Sequence, residues 1–287
     1  DDQQSLIKTT MLDAGLDIKK WSPKSMLGAI SDLKSELIGP EEFERKANGF
    51  KETTVAGIYA AYQAALSHSN ALDFDDLIMM TVELLQKHPD VLAKYQELFK
   101  YIMIDEYQDT NHAQYAWANL LAKKYRNIAV VGDDAQSIYG WRKADIRNIL
   151  DFEKDYPDAK IILLEQNYRS TQTILHAANS IIGNNKNQKQ KKLWTENEGG
   201  NHITIKEAHD VNEEGEYVIS VITDRSLPAG RQATILYRTH AQSRAIEESL
   251  VRHGIAYHIL GGVRFYERRE IKDILAYLRL MANPDDM

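Results

Sequence analysis

The 287-residue sequence contains no cysteine, which excludes disulfides and thiolate metal centres and fits a reducing cytosol. None of its nine histidines forms an HExxH pair, so each reads as a surface or core residue rather than a zinc ligand. Apolar runs of the roughly 18 residues needed to span a bilayer are lacking. The N-terminal DDQQSLIK has neither the basic nor the apolar region of a signal peptide. A phosphate-binding loop is missing as well. None of the 15 glycines is followed by Lys, whereas such a loop needs Gly-Lys-Ser/Thr to hold the β- and γ-phosphates.

A net charge of −7 speaks against passive coating of nucleic acid but leaves room for a local basic groove. Hydrophobic residues at 43% and charged residues at 27% are ordinary values for a folded chain, and the length suffices for two domains. The chain opens without Met and stops at MANPDDM, just after a helical pattern. We therefore expect an excerpt from a longer protein.

The first hundred residues read as helical. SPKSMLGAISDLKSELIG has Ser22 as cap, Pro23 in the first turn and Gly39 as a stop. TTVAGIYAAYQAAL, FDDLIMMTVELLQKH and DVLAKYQELF follow, with Pro89 separating the last two. From Tyr101 short apolar runs alternate with amphipathic helices. YIMI, NIAVVG, KIILLE, ATILYR and YHILGG are expected strands. Helices are expected after YIMI, near ADIRNILDFEKDY, and over STQTILHAANSII, AQSRAIEESLVRHG and EIKDILAYLRLM, the last with Ile271, Ile274, Leu275 and Leu278 in phase. This alternation predicts an α/β fold, a mostly parallel sheet with helices on both faces. Ligands gather at the carboxyl ends of such strands. The basic tract GNNKNQKQKK, residues 183–192, reads as a solvated loop rather than a dedicated DNA clamp.

Three strand ends carry unusual chemistry. YIMIDEYQDT ends an apolar run on two adjacent carboxylates, Asp105 and Glu106, which are costly there unless they bind something. The alternatives are a solvated strand end before a helix cap, or a Walker B pair beside a nucleotide. NIAVVGDDAQSIYGWR follows a Gly-Asp turn with Gln136, Tyr139, Trp141 and Arg142: an uncharged hydrogen-bonding group, two flat rings and a guanidinium fork suited to phosphates and bases. LLEQNYRST sets Tyr168 beside Arg169, with Ser170 as a possible helix cap.

In order and spacing, DEYQDT, GDDAQSIYGWRKAD and LEQNYRS resemble motifs II, III and IV of superfamily 1A DNA helicases of the UvrD/Rep/PcrA type, the PcrA branch above all. ALDFDDLI, KKLWTEN, ILYRTHAQSR and GGVRFYERREIKDILAYLRLMANPDD are also similar to segments of that family, so the resemblance spans nearly the whole chain. It implies RecA-like P-loop NTPase motor domains, incomplete here, with an all-helical insertion of the 1B type. Residues 1–67 resemble that insertion, 68–166 the second part of motor domain 1A, and 167–287 the first part of 2A. The resemblance implies ATP and Mg²⁺ as cofactors, with Asp105 as the Mg²⁺ ligand and Glu106 as the base that orients water. It makes Gln136 the γ-phosphate sensor, Tyr168 the adenine platform and Arg169 a γ-phosphate contact. Tyr139, Trp141 and Arg142 would hold single-stranded DNA.

Lys143 departs from the family pattern, which usually has Gly after WR. The resemblance also places the phosphate loop upstream of residue 1 and a late arginine motif downstream of residue 287, so the chain alone is expected to be inactive. The implied parent is an ATP-dependent 3′-to-5′ helicase acting on single-stranded and 3′-tailed duplex DNA in the bacterial cytoplasm, with repair or replication proteins as partners. The rivals are a non-catalytic DNA-binding or regulatory module and a helicase-nuclease subunit.

Overall fold

The computed structural model describes residues 2–186, 188–224, 232–260 and 269–282. They fall into two compact units, residues 1–197 with 276–287, and residues 198–275.

The first unit opens with six helices: α1 (Asp2–Asp13), α2 (Pro23–Ser35), α3 (Pro40–Lys46), α4 (Phe50–His68), α5 (Phe74–Lys87) and α6 (Pro89–Leu98). Helices α1, α2 and α4 bury one stripe each, and Ile7, Met11, Met26, Ile30, Ile58, Tyr59 and Leu66 form their common core. Pro23 sits in the first turn of α2 as expected, but Ser22 makes no side-chain cap bond. Gly39 does not stop that helix. The helix ends at Ser35, Leu37 takes a left-handed conformation, and Gly39 instead precedes Pro40 as the cap of α3. The break comes where the chain must turn, one helical turn earlier than the glycine suggests.

Helix α5 is anchored from below by charge. Asp73 caps it in a reciprocal capping box with Asp76. Lys34 of α2, almost wholly buried, pairs with Asp73 at 2.7 Å and with Asp76 at 2.8 Å. The Tyr62 hydroxyl donates to Asp73, the Gln63 amide donates to Asp76, and the Lys34 ammonium lies over the Tyr59 and Tyr62 rings. Each buried charge is therefore paired and hydrogen-bonded, the condition under which burial is tolerated.

Strand β1 (Ile102–Ile104) pairs in parallel with β2 (Ile128–Val130), Ile102 facing Ile128 and Ile104 facing Val130. Helix α7 (His112–Ala122), capped by an Asn111–Gln114 box, makes the crossover between them. Short helical turns α8 (Arg147–Leu150) and α9 (Phe152–Asp155) replace the single helix expected near ADIRNILDFEKDY. Next comes α10 (Gln172–Ile182), capped at Thr171 rather than Ser170. Its apolar stripe is only partly covered: Leu175 is buried while Ile174 and Ile181 are exposed.

Among the described residues no further strand joins this sheet, so the expected larger sheet reduces to two strands. KIILLE is not a strand among the described residues; Ile162 and Leu164 are exposed, and just past its end Gln166 makes one isolated parallel bridge to Trp194. ATILYR and the described part of YHILGG are not assigned as strands among the described residues. An apolar run signals burial or pairing without saying which.

The second unit contains α11 (Val211–Asp224), a helix not among those expected, and α12 (Ser243–Arg252). Ile219, Ile246 and Leu250 form its small core, with Ile235 of ATILYR and Ile255 packed against them. Gly215 lets the helices cross closely, since a Cβ there would stand 2.7 Å from the Ser249 hydroxyl. The last helix, α13 (Arg269–Ala282), confirms the expected helix over EIKDILAYLRLM, with Ile274 and Leu278 exposed. The Ile271 side chain, most of GGVRFYERR and the final NPDDM lie outside the described residues.

Removing Lys34 would leave Asp73 and Asp76 buried without their cation. Lys34→Ala should lower unfolding stability by about 3–5 kcal/mol, the usual scale for breaking a buried pair. Lys46→Ala, which breaks an exposed pair with Glu42, should leave the urea midpoint unchanged. Equal midpoint shifts in the two variants would contradict this account of the cluster.

Candidate active site

The two paired strands end on the residues singled out by sequence. Asp105 and Glu106 follow β1 directly, both exposed, and the Asp105 carboxylate accepts from the Glu106 amide at 2.9 Å. Glu106 has φ 52°, ψ 40°, a left-handed conformation that costs a non-glycine residue about 1–3 kcal/mol. No cation pairs with either carboxylate among the described residues.

Gln108, almost fully buried, joins this strand end to the next. Its amide donates to Glu106 Oε2 at 2.6 Å, and its carbonyl oxygen accepts from the Asp133 backbone N–H at 3.0 Å. Its backbone carbonyl accepts from the Ser137 hydroxyl, and the neighbouring Tyr107 N–H donates to the Val131 carbonyl. Gly132 is required by this approach: a Cβ would stand 2.4 Å from Gln108 Oε1 and 2.7 Å from Ile149 Cδ1. Sequence reasoning did not single out Gln108. Its only signal was a polar residue one step past a buried aromatic.

The Asp133 carboxylate caps the next turn through the Ala135 N–H and accepts from the Gln136 side chain at 2.8 Å. Burial would raise the Asp133 pKa, but hydrogen bonds from Lys191 and Gln136, with the Lys191 charge, hold it below the ordinary carboxylate value. Gln136, Tyr168 and Arg169 line one open cleft of about 500 Å³ together with Gln166 and Asn167. The Tyr168 ring is exposed and its hydroxyl donates to Gln166. The Arg169 backbone is fixed by the Asn167 side chain, and its guanidinium makes no ion pair among the described residues. Asp105 and Glu106 do not line this cleft; they reach it through Gln108 and the Asp133 turn.

Tyr139, Trp141 and Arg142 form a separate surface cluster. The Arg142 guanidinium lies 4.5 Å from the Trp141 ring centroid and 5.5 Å from that of Tyr139. Trp141 is 69% exposed, so it is not a core residue. Lys143 takes the left-handed φ of 63° that suits the Gly usual in the resembling family, and its ammonium lies 3.3 Å from Asp32 on α2.

Residues 1–157 match the UvrD/REP helicase N-terminal domain family, and residues 162–287 match the UvrD-like helicase C-terminal domain family. The chain belongs to the UvrD/REP helicase family. It is 53% identical to the ATP-dependent DNA helicase PcrA of Bacillus subtilis (strain 168) over 99% of its own length and 39% of that protein's. It is 52% identical to PcrA of Staphylococcus epidermidis, with the same coverage, and 50% identical to PcrA of Leuconostoc citreum, over 99% of this chain and 38% of that one. The chain thus spans about two fifths of the length of the relatives it matches. No helix among the described residues is long and apolar enough to cross a membrane.

Gly132→Ala should cost about 1–3 kcal/mol, the scale of overpacking a closed contact. Gly140→Ala, where a Cβ meets nothing within 4 Å, should leave the urea midpoint in place. Unchanged stability in Gly132→Ala would contradict the close approach of Gln108.

Proposed function

We propose that the chain is the central part of an ATP-dependent DNA helicase that moves 3′ to 5′ along single-stranded DNA and opens 3′-tailed duplexes. The observation that carries this reading is the convergence of Gln136, Tyr168 and Arg169 on one cleft, in a chain about half identical to PcrA helicases. In this reading residues 1–67 are the helical 1B insertion, 68–166 the later part of motor domain 1A, and 167–287 the first part of 2A. The parent would act in the bacterial cytoplasm on nucleoid DNA, alongside repair or replication proteins.

The residues present fit Mg²⁺ and ATP. Mg²⁺ binds one or two carboxylates plus substrate phosphates and keeps several waters. Asp105, an exposed carboxylate without a counter-cation among the described residues, offers such a ligand. When bound, Mg·ATP supplies the phosphoryl group whose transfer to water drives movement. In this reading Glu106, whose carboxylate accepts from the Gln108 amide, takes the proton of an attacking water. The Arg169 guanidinium is available for charge that builds on the transferred phosphoryl group, and the exposed Tyr168 face for the adenine ring. Tyr139 and Trp141 offer stacking faces to successive bases, with Arg142 on the backbone.

The isolated chain, which has no Gly-Lys-Ser/Thr sequence, should hydrolyse ATP no faster than background with or without DNA. In the full-length parent, Glu106→Gln should keep Mg·ATP binding and lose turnover, whereas Asp105→Asn should weaken Mg²⁺ binding itself. Identical profiles for these two variants in binding and turnover assays would sink the division of roles. Trp141→Ala should leave the melting temperature nearly unchanged and weaken single-stranded DNA binding by about 1–3 kcal/mol. Unaltered affinity would remove Trp141 from the DNA surface.

A further inference from the structure

In the basic tract read from sequence as a solvated loop, Lys189 and Lys191 contact the turn that carries Gln136. The Lys191 ammonium pairs with Asp133 and lies 3.0 Å from Asp134 Oδ1. The Lys189 backbone N–H donates to Asp134 Oδ2 at 2.7 Å, and the Lys189 ammonium pairs with Glu153. The Lys192 N–H donates to Glu165 at 2.9 Å, close before the cleft residues Gln166 to Arg169. The Lys191 contacts are partly shielded, with the Lys191 side chain 20% exposed and that of Asp134 only 7%, whereas the Lys189–Glu153 and Lys192–Glu165 contacts lie at the surface.

The division of labour on Asp133 is what gives the contact meaning. One carboxylate oxygen takes Lys191 and the Ala135 N–H, and the other takes the Gln136 amide. A carboxylate held on one side by a cation has its second oxygen fixed in direction, and with it any donor bound there. The clasp also joins residues from the two family-matched segments, since Asp133 and Asp134 fall within 1–157 and Lys191 within 162–287. It therefore spans the two segments that supply the cleft lining.

We propose that Lys191 is a positioning residue for ATP turnover, orienting Gln136 through Asp133 and clasping the cleft-bearing segment onto the Asp133–Asp134 turn. The inference rests on the reading of Gln136 as a nucleotide-sensing group. A purely structural ion pair would contribute to stability and nothing more.

The test uses the full-length parent, with ATP turnover measured against ATP and against single-stranded DNA. Gln136→Ala tests the underlying reading, and Lys191→Gln tests the clasp. The expected result is a fall of about ten- to a hundredfold in DNA-stimulated kcat for Lys191→Gln, the scale on which a misplaced group near reacting atoms costs rate. KM for ATP and DNA affinity should stay close to wild type, while Tm falls with loss of the partly shielded cation. Lys191→Arg, which keeps the charge, should recover most of the rate, and Lys191→Gln should add no further loss in the Gln136→Ala background. The acid limb of the kcat profile should move to higher pH in Lys191→Gln. Asp133 is held ionised below its ordinary range by that lysine, so losing the cation lets it protonate sooner as pH falls. Because Tm falls, kcat is read per folded molecule, at a temperature below the transition of each variant. Wild-type kcat in Lys191→Gln, or losses that multiply with Gln136→Ala, would overturn the inference while leaving the reading of Gln136 intact. Wild-type turnover in Gln136→Ala would instead remove that reading and the inference with it.

Discussion

The buried carboxamide of Gln108 is the point where two strand ends become one site. It donates to Glu106 and accepts from Asp133, so neither end can shift without the other. A buried amide that loses one of these partners is left with an unsatisfied polar atom, at a cost of about 1–3 kcal/mol. Gly132 keeps the space that the contact needs, and parallel pairing of β1 with β2 sets the register that brings both ends level. The left-handed backbone at Glu106 persists because this network holds the residue on both sides, through Asp105 and through Gln108.

Helix α2 extends the same logic outward. Lys34 locks it to α5 through a buried, doubly paired ammonium, and its next residue, Ser35, lies 3.4 Å from the Asn111 amide at the cap of α7. Asp32, half a turn earlier, meets Lys143 beside the Trp141 cluster. One helix thus touches the element after the Asp105-Glu106 pair and the loop after the Asp133 turn. The exposed Asp32–Lys143 contact adds little energy by itself, whereas the Lys34 cluster fixes the helix that carries both contacts.

Local chemistry was legible in the sequence where it was covalently close. Helix faces with 3.6-residue period, the start of α5 at Phe74 and its end before Pro89, and the strands YIMI and NIAVVG all follow from short-range pattern. Long-range pairing was not legible. KIILLE carries the same apolar signature as NIAVVG, yet among the described residues only the latter finds a strand partner, and no local feature distinguishes them. Helix α11 was hidden because Gly215 reads as a breaker, when its role is to admit α12. In the site, the acidic pair, the aromatic cluster and Tyr168–Arg169 stood out by composition. Gln108 and Lys191 did not, because an amide or a lysine acquires its role only from a carboxylate brought near it by folding.

The central claim is that Gln108 couples the Glu106 end of the site to the turn carrying Gln136. The direct test is the ratio of ATP turnover with and without single-stranded DNA in the full-length parent carrying Gln108→Ala. Tm, nucleotide binding and DNA binding should be measured on the same material. The account predicts that the folded variant binds both ligands and that its stimulation ratio falls toward one. A wild-type ratio in a folded Gln108→Ala protein would contradict it.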